Sequence, residues 1–269
     1  MQARIIKDSI SKEGKRITTF ELIYPRFIHA EMCRHRVFSR TVESSRAKPI
    51  YKNLLEVENN PVLPEFITEN EPGMVGRKYI TGEAKEEILD TLRRQAQNTV
   101  KMVTFLDEKY SIHKQVLNRY LEPFLNTKEV VTSTEWDNFF MLRLAFDAEP
   151  HIQKLASLMK EKLEKSKPNL LENNEWHLPY ISEKEYQEYD VETLKKVSSA
   201  RCARCSYKLF DGTTDVEKDK ALYDKLLKGK HFSPMEHVAC PDGKTDGKWN
   251  NSNKFGNFVG WCQFRKFIE

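Results

Sequence analysis

Between residues 83 and 110 the apolar side chains Ile88, Leu92, Ala96, Val100 and Val103 recur every three or four positions. That period draws one apolar stripe along a long helix, and such a stripe must be covered by other elements. The chain therefore folds around packed helices, and its remaining segments have to supply the cover. The N-terminus follows a different period. Residues 3–10 and 17–24 are β-rich runs joined by SKEGKR, which reads as a hairpin with Gly14 in the turn. Pro25 suits the first turn of a helix, because the N–H it lacks would be unpaired there anyway. That helix carries Phe27, Ile28, Glu31 and Met32 into Arg34-His35-Arg36.

Residues 47–80 are interrupted by prolines and show no clean period, so they read as a long irregular excursion. A shorter helix ends near Pro123, and Val130-Val131-Thr132 is a brief strand. Helices follow near 135–146 and 149–166, with Ile152, Leu155, Met159 and Leu163 on one face of the second. Residues 167–190 are polar, aromatic-spiked and proline-interrupted, and read as a linker. Thr214 and Glu217 form a capping-box pattern ahead of a helix bearing Leu222, Leu226 and Leu227, with Gly229 at its C-terminal cap. The expected class is α+β with helices dominating.

Lys and Arg sum to 44 against 40 Asp and Glu, a net charge of +4. That is too mild for the clustered basic face of a nucleic-acid binder, although converging arginines still suit small anions. No apolar run reaches the length of a membrane span, and MQARIIKDSISKEGKR has no leader-like pattern. With five cysteines, an odd number, a reduced, cytoplasmic protein without structural disulfides is expected, with no membrane or nucleic-acid partner.

Three constellations bear on chemistry. Cys202-Ala203-Arg204-Cys205 has His231 and His237 downstream, but 25 residues and a capped helix separate Cys205 from His231. A zinc site wants closer spacing, so packing of small thiols is expected and no metal. Arg34-His35-Arg36 with Ser39, Ser44, Ser45 and Arg46 is a dense supply of donors for phosphate, or else a solvated basic helix end. His231 to His237, HFSPMEH, is either a binding turn or an ordinary turn capped by Ser233.

Together these segments resemble the flavin-dependent thymidylate synthases, the ThyX family. RHRVFSRTVESSRA at 34–47 fits R-H-R, seven residues, then Ser, a motif that usually continues as R-H-R-x-x-S-x-N-E-x-S-x-R. TFELIYPRFIHAEMC looks like the strand and helix that deliver it. Asn118-Arg119 and WDNFFMLRLAFDAEPHIQ at 136–153 resemble the family's second half, where N-F-x-x-L-R precedes an A-Q-x-E-I helix. The segments similar to A-R-x-S-[FY] and H-x-[ST]-P-F-E-H, here SARCARCSYK and KHFSPMEHVA, come last instead of first. The resemblance thus implies a circularly permuted, single ThyX-like α+β domain over 1–269, a small antiparallel sheet with a helical layer. Within it, 1–166 would be the arginine-motif and helical part, 167–190 the linker and 191–269 the permuted segment.

The resemblance further implies methylation of dUMP to dTMP with methylenetetrahydrofolate and NADPH as co-substrates and FAD as cofactor, in a homotetramer with shared active sites. Arg143 matches the catalytic arginine at the pyrimidine. Glu31, Arg34, Ser44, Ser45, Arg46 and Arg119 match nucleotide-binding positions. His35, Arg36, Thr41, Thr132, Asn138, His231, Ser233 and Glu236 match the FAD site. The departures are Thr41 for Asn, Val42 for Glu, Glu31 for Gln, and Ala148-Glu149-Pro150-His151-Ile152 for A-Q-x-E-I. They keep two alternatives in view: a flavin-dependent hydroxymethylase acting on dUMP or dCMP, and a catalytically silent nucleotide-binding relative. A buried Glu31 is expected to pair with Arg34 or Arg119.

Overall fold

The computed structural model of the protein describes residues 1–206 and 215–269. The N-terminal hairpin forms as its two periods require: β1 (Gln2–Ser11) and β2 (Arg16–Pro25) pair antiparallel. Gly14 adopts φ +75° at the turn, a conformation that a side chain would strain. With β3 (Ser39–Val42), β4 (Asn126–Ser133) and β5 (Asn169–Leu171), the strands make a five-stranded sheet in the order β3-β4-β2-β1-β5. The brief strand expected at 130–132 is in fact eight residues long and sits inside the sheet. The pairing is antiparallel except at one edge, where β5 runs parallel to β1.

Both faces of the sheet are covered, which is why β2 is buried along most of its length rather than on alternate residues. On one face Phe20, Leu22, Tyr24 and Val131 pack with Ile28 and Met32 of the Pro25 turn and α1 (His29–Cys33). Phe139 of α5 (Asp137–Arg143) and Ile152, Leu155 and Met159 of α6 (Pro150–Lys165) complete that core. Fully burying each such side chain contributes about 1.5–3 kcal/mol. The segment around Pro150 builds its own helix start. Glu149 caps α6, its carboxylate accepting from the N–H groups of His151 and Ile152 at 2.9 Å each. His151 then donates Nδ1–H to Glu149, and its Nε2 accepts from the backbone N–H groups of Glu65 and Phe66.

The expected irregular excursion over 47–80 is half wrong. Ile50–Asn59 is a helix, α2, bounded by Pro49 at its N-cap and closed just before Pro61. The prolines punctuate the helix instead of breaking it. α2 packs with α3 (Gly82–Tyr110) and α4 (Lys114–Leu121) around Val57, Ala96, Val100, Val103, Leu117 and Leu121. Although α3 has 29 residues, no helix among the described residues is long and apolar enough to cross a membrane.

The other face of the sheet is covered by the C-terminal third, and here the linker reading of 167–190 fails. That stretch supplies β5, the buried His177 and Tyr180, and α7 (Glu183–Glu188) with its Ser182–Glu185 capping box. Its polar groups are buried because partners distant in sequence satisfy them. Tyr180 donates to Glu21 at 2.7 Å, and His177 bonds Ser9 and Thr19. α8 (Val191–Ala203) and α9 (Val216–Lys228) follow. Thr214 lies outside the described residues; Asp215 caps α9 by accepting from Lys218 N–H, Gly229 is its C-cap as expected, and the left-handed residue is the next one, Lys230. The chain ends in β6 (Ala239–Pro241), the small hairpin of β7 (Lys244–Thr245) and β8 (Lys248–Trp249), β9 (Trp261–Gln263) paired with β6, and α10 (Arg265–Ile268).

Candidate active site

Two groups of chemistry-bearing residues meet around α1 and β3. The first forms where the end of α1 touches the end of α5. His35 is buried between the rings of Phe38 and Phe139, with centroids at 5.6 and 4.9 Å. Its Nε2 accepts from Arg143 Nε–H at 2.9 Å, and Arg143 Nη2–H donates to the Glu31 carbonyl at 3.2 Å. Accepting at Nε2 places the imidazole proton on Nδ1. Burial, with the cations Arg143 and Arg40 nearby, holds His35 neutral, its pKa down at about 4. Partial burial also lowers the Arg143 pKa, opposed by the Glu31 charge and aided by that of Arg34.

Two hydrogen-bonding groups are left over in this cluster. Arg143 Nη1 has no partner among the described residues, and neither has the buried Glu31 Oε2. The expected ion pair of Glu31 with Arg34 or Arg119 does not form. Such a pair would have satisfied the carboxylate; instead the cluster keeps one acceptor on Glu31 and one donor on Arg143 open, an arrangement suited to the edge of a polar ring.

The second group lines a groove of about 950 Å³ between β3 and the C-terminal end of α9. Arg40, Thr41, Ser44 and Arg46 form one wall, and Lys225, Lys228, His231 and Ser233 the other. Cations on both walls with hydroxyls between them suit a phosphate-bearing ligand. Arg40 joins the two groups, because it also donates to the Met32 carbonyl at 2.7 Å and the Cys33 carbonyl at 3.3 Å. His231 reaches the groove by folding back over Gly229. A β-carbon on Gly229 would lie 2.8 Å from His231 Cδ2 and 3.3 Å from the Lys225 carbonyl. Gly229→Ala is therefore expected to displace the His231 ring while the fold persists. A shifted His231 imidazole proton resonance with a melting temperature changed by no more than about 4 °C checks it.

Beneath the groove, a row of buried groups crosses the sheet. Ser9 Oγ bonds His177 Nδ1 at 2.9 Å, and His177 Nε2 bonds Thr19 Oγ1 at 2.8 Å. Thr19 bonds Thr132 at 2.7 Å, Thr132 bonds His237 Nδ1 at 2.8 Å, and His237 Nε2 bonds Thr41 at 2.8 Å. Burial pushes the His177 pKa far below its ordinary value and that of His237 down to about 3, so both rings are neutral. Thr132 thus supports the groove from below and does not line it. Cys202 is buried with Val130, Tyr180 and Cys205, and Cys205 donates S–H to the Thr41 carbonyl at 3.0 Å, so both thiols serve packing against the sheet.

The remaining expected residues are dispersed. Arg34, Arg36, Asn138 and Arg119 are exposed, and none of the four lines the groove. Ser45 is buried, and its carbonyl is held by the Asn118 amide at 2.8 Å, which fixes the loop that presents Ser44 and Arg46. Glu236 is paired with Arg265 at 2.5 Å and stands outside the groove lining. Arg40, Lys225 and Lys228 were not expected. Arg40 carried a signal, as the one cation in the short run between Ser39 and Thr41; the two lysines, on the polar face of an amphipathic helix, carried none.

Residues 16–169, more than half of the chain, match the family model of the thymidylate synthase complementing protein. The chain belongs to this family. Solved structures are similar in fold. One is the flavin-dependent thymidylate synthase ThyX from Helicobacter pylori complexed with FAD and dUMP: 16% identity over 55% of this chain and 67% of that one, TM-score 0.39. Another is the UMP/dUMP methylase PolB from Streptomyces cacaoi bound with 5-Br dUMP: 15% identity over 61% of this chain and 90% of that one, TM-score 0.50. No curated protein matches the sequence. The α+β, ThyX-like fold expected from the motifs is the fold of the family member described here.

Proposed function

We propose that the protein is a flavin-dependent thymidylate synthase that methylates dUMP to dTMP, with methylenetetrahydrofolate as carbon donor and NADPH as reductant. The observation that carries this reading is the pair of open groups in the first cluster, Glu31 Oε2 and Arg143 Nη1, within a family whose members are named for this reaction. The pyrimidine edge is read as completing that pair. Arg143 then stabilises negative charge that develops on the ring, and neutral His35 keeps its guanidinium oriented. FAD, when bound, supplies the hydride that reduces the transferred carbon. The groove fits such a dinucleotide in volume and in charge, and Arg40, Arg46, Lys225 and Lys228 would hold its diphosphate, with Thr41, Ser44 and Ser233 as hydroxyl partners.

Arg36, Arg119 and Asn138 face solvent, so we read them as completing the site of a neighbouring subunit in a homotetramer. A monomeric mass by light scattering with FAD still bound would sink that. The permuted order is likewise our reading, supported by the way the last motif returns to the sheet. His237 bonds Thr132 on β4, and Ala239 packs with Ile17 on β2.

The decisive experiment incubates the protein with dUMP, methylenetetrahydrofolate and NADPH and weighs the product. A yellow protein bleached by NADPH that yields dTMP is expected; a hydroxymethylated product would select the hydroxymethylase, and a colourless protein that turns over nothing the silent relative. The open acceptor of Glu31 favours one second reading, a dCMP substrate whose amino group donates to it. Titration with dUMP and dCMP decides. Tighter dCMP binding that Glu31→Gln reverses would replace dUMP as the substrate.

A further inference from the structure

The five cysteines fall into two classes: Cys202, Cys205, Cys240 and Cys262 are buried, and Cys33 is exposed. Cys33 lies one turn after His29 on α1, with Sγ 3.4 Å from His29 Nε2. On the far side of the ring, His29 Nδ1 is 2.8 Å from the Tyr24 hydroxyl, which donates its proton to Glu129 Oε2 at 2.5 Å. A phenol has one proton to give. With that proton on Glu129, the Tyr24 oxygen accepts from His29 Nδ1–H, so the imidazole is held as the Nδ1–H tautomer. Its Nε2 lone pair then faces the thiol. Burial, with the cations Arg26 and Arg40 nearby and Glu122 opposing them, lowers the His29 pKa, so the resting ring is neutral.

Nucleophile, base and orienting group thus stand in one row, Cys33, His29 and Tyr24, anchored on the fully buried Glu129. Arg40 fixes this turn of backbone by donating to the Cys33 carbonyl at 3.3 Å. Nothing in the proposed reaction uses this row. We propose that Cys33 is a base-assisted nucleophilic thiol, a covalent modification site for small soft electrophiles such as haloacetamides and activated alkenes. With iodoacetamide, sulfur bonds to the methylene carbon as the carbon–iodine bond breaks, iodide leaves, and the thiol proton passes to His29 Nε2 and on to water.

Limiting iodoacetamide on the full-length protein, with the adduct located by peptide mass spectrometry, tests this. Cys33 is expected to react first and about fivefold faster than free N-acetylcysteine. His29→Gln should return the rate to that of the free thiol, and Tyr24→Phe, which leaves the base but releases its tautomer, to an intermediate value. The control Cys33→Ser should abolish the fast phase. A Cys33 no faster than N-acetylcysteine, or a rate unchanged in both variants, overturns the proposal. Because FAD and nucleotide play no part in the measurement, its outcome is separate from that of the proposed activity.

Discussion

Arg143→Ala is expected to lower turnover of dUMP by about 10²–10³-fold, the usual loss when one charge-stabilising donor is removed from an active site. Folding should suffer little. The side chain is only partly buried, and its two hydrogen bonds go to His35 and to the Glu31 carbonyl at the edge of the α1–α5 contact, not into the core. Arg143→Lys should fail almost as badly, because a point charge cannot hold His35 and present a second nitrogen to the substrate at once. Steady-state kinetics alongside a thermal melt separate the cases. A melting temperature that collapses as for a core deletion, with normal turnover in the surviving protein, would move Arg143 from catalysis to scaffolding.

The largest stability effect is expected at Arg201. This guanidinium is 1% exposed, donating to Glu185 at 2.6 and 3.0 Å and to Asp219 at 2.9 Å, which locks α7, α8 and α9 together. Arg201→Ala strands the buried Glu185 carboxylate, leaves Asp219 with Arg204 as its remaining cation, and should cost about 3–5 kcal/mol in urea unfolding at neutral pH. Glu185→Gln is the milder variant that keeps the test readable if the first does not fold. The same bonds make an acid limb. Burial would raise the Glu185 carboxyl, but its bonds to Arg201 and Ser182 prevail and hold it at about 2. The unfolded chain takes up that proton near its ordinary value of about 4.3. Stability from this group is therefore complete above that value and is lost as the pH falls toward 2. Glu185→Gln should flatten that part of the pH–stability curve, and an unchanged acid limb would show that the carboxyl is not held down.

The legible parts of the molecule were those whose reasons are local. The hairpin alternates and turns at Gly14, and α3 repeats its stripe within its own residues. α2 was hidden because Pro49 and Pro61 are read more readily as breaks than as the two ends of a ten-residue helix. Residues 167–190 were misread because their polarity is real; only the three-dimensional partners Ser9, Thr19, Glu21 and Arg201 make it buried. In the site, the arginine motif pointed to the stretch that carries His35, Thr41, Ser44 and Arg46, although its Arg34 and Arg36 face solvent. That Glu31 would lack an ion pair, and that Lys225 and Lys228 would face Arg40 across a groove, depended on distances between elements that no local pattern encodes.

The row from Ser9 to Thr41 restricts the molecule in one more way. Each neutral imidazole donates at one nitrogen and accepts at the other, and each hydroxyl has a single proton. If the buried hydroxyls of Thr19 and Thr132 spend their protons within the row, only two arrangements exist. Either His177 and His237 both carry the proton on Nε2 and every bond points toward Thr41, or both carry it on Nδ1 and every bond points toward Ser9. The two rings cannot differ. In the first arrangement the Thr41 hydroxyl is available to donate into the groove; in the second it is spent on His237 and offers only a lone pair. A groove ligand that demands one polarity of Thr41 thereby sets the tautomer of His177, three strands away, and the nitrogen-15 shifts of the two imidazoles should always change together.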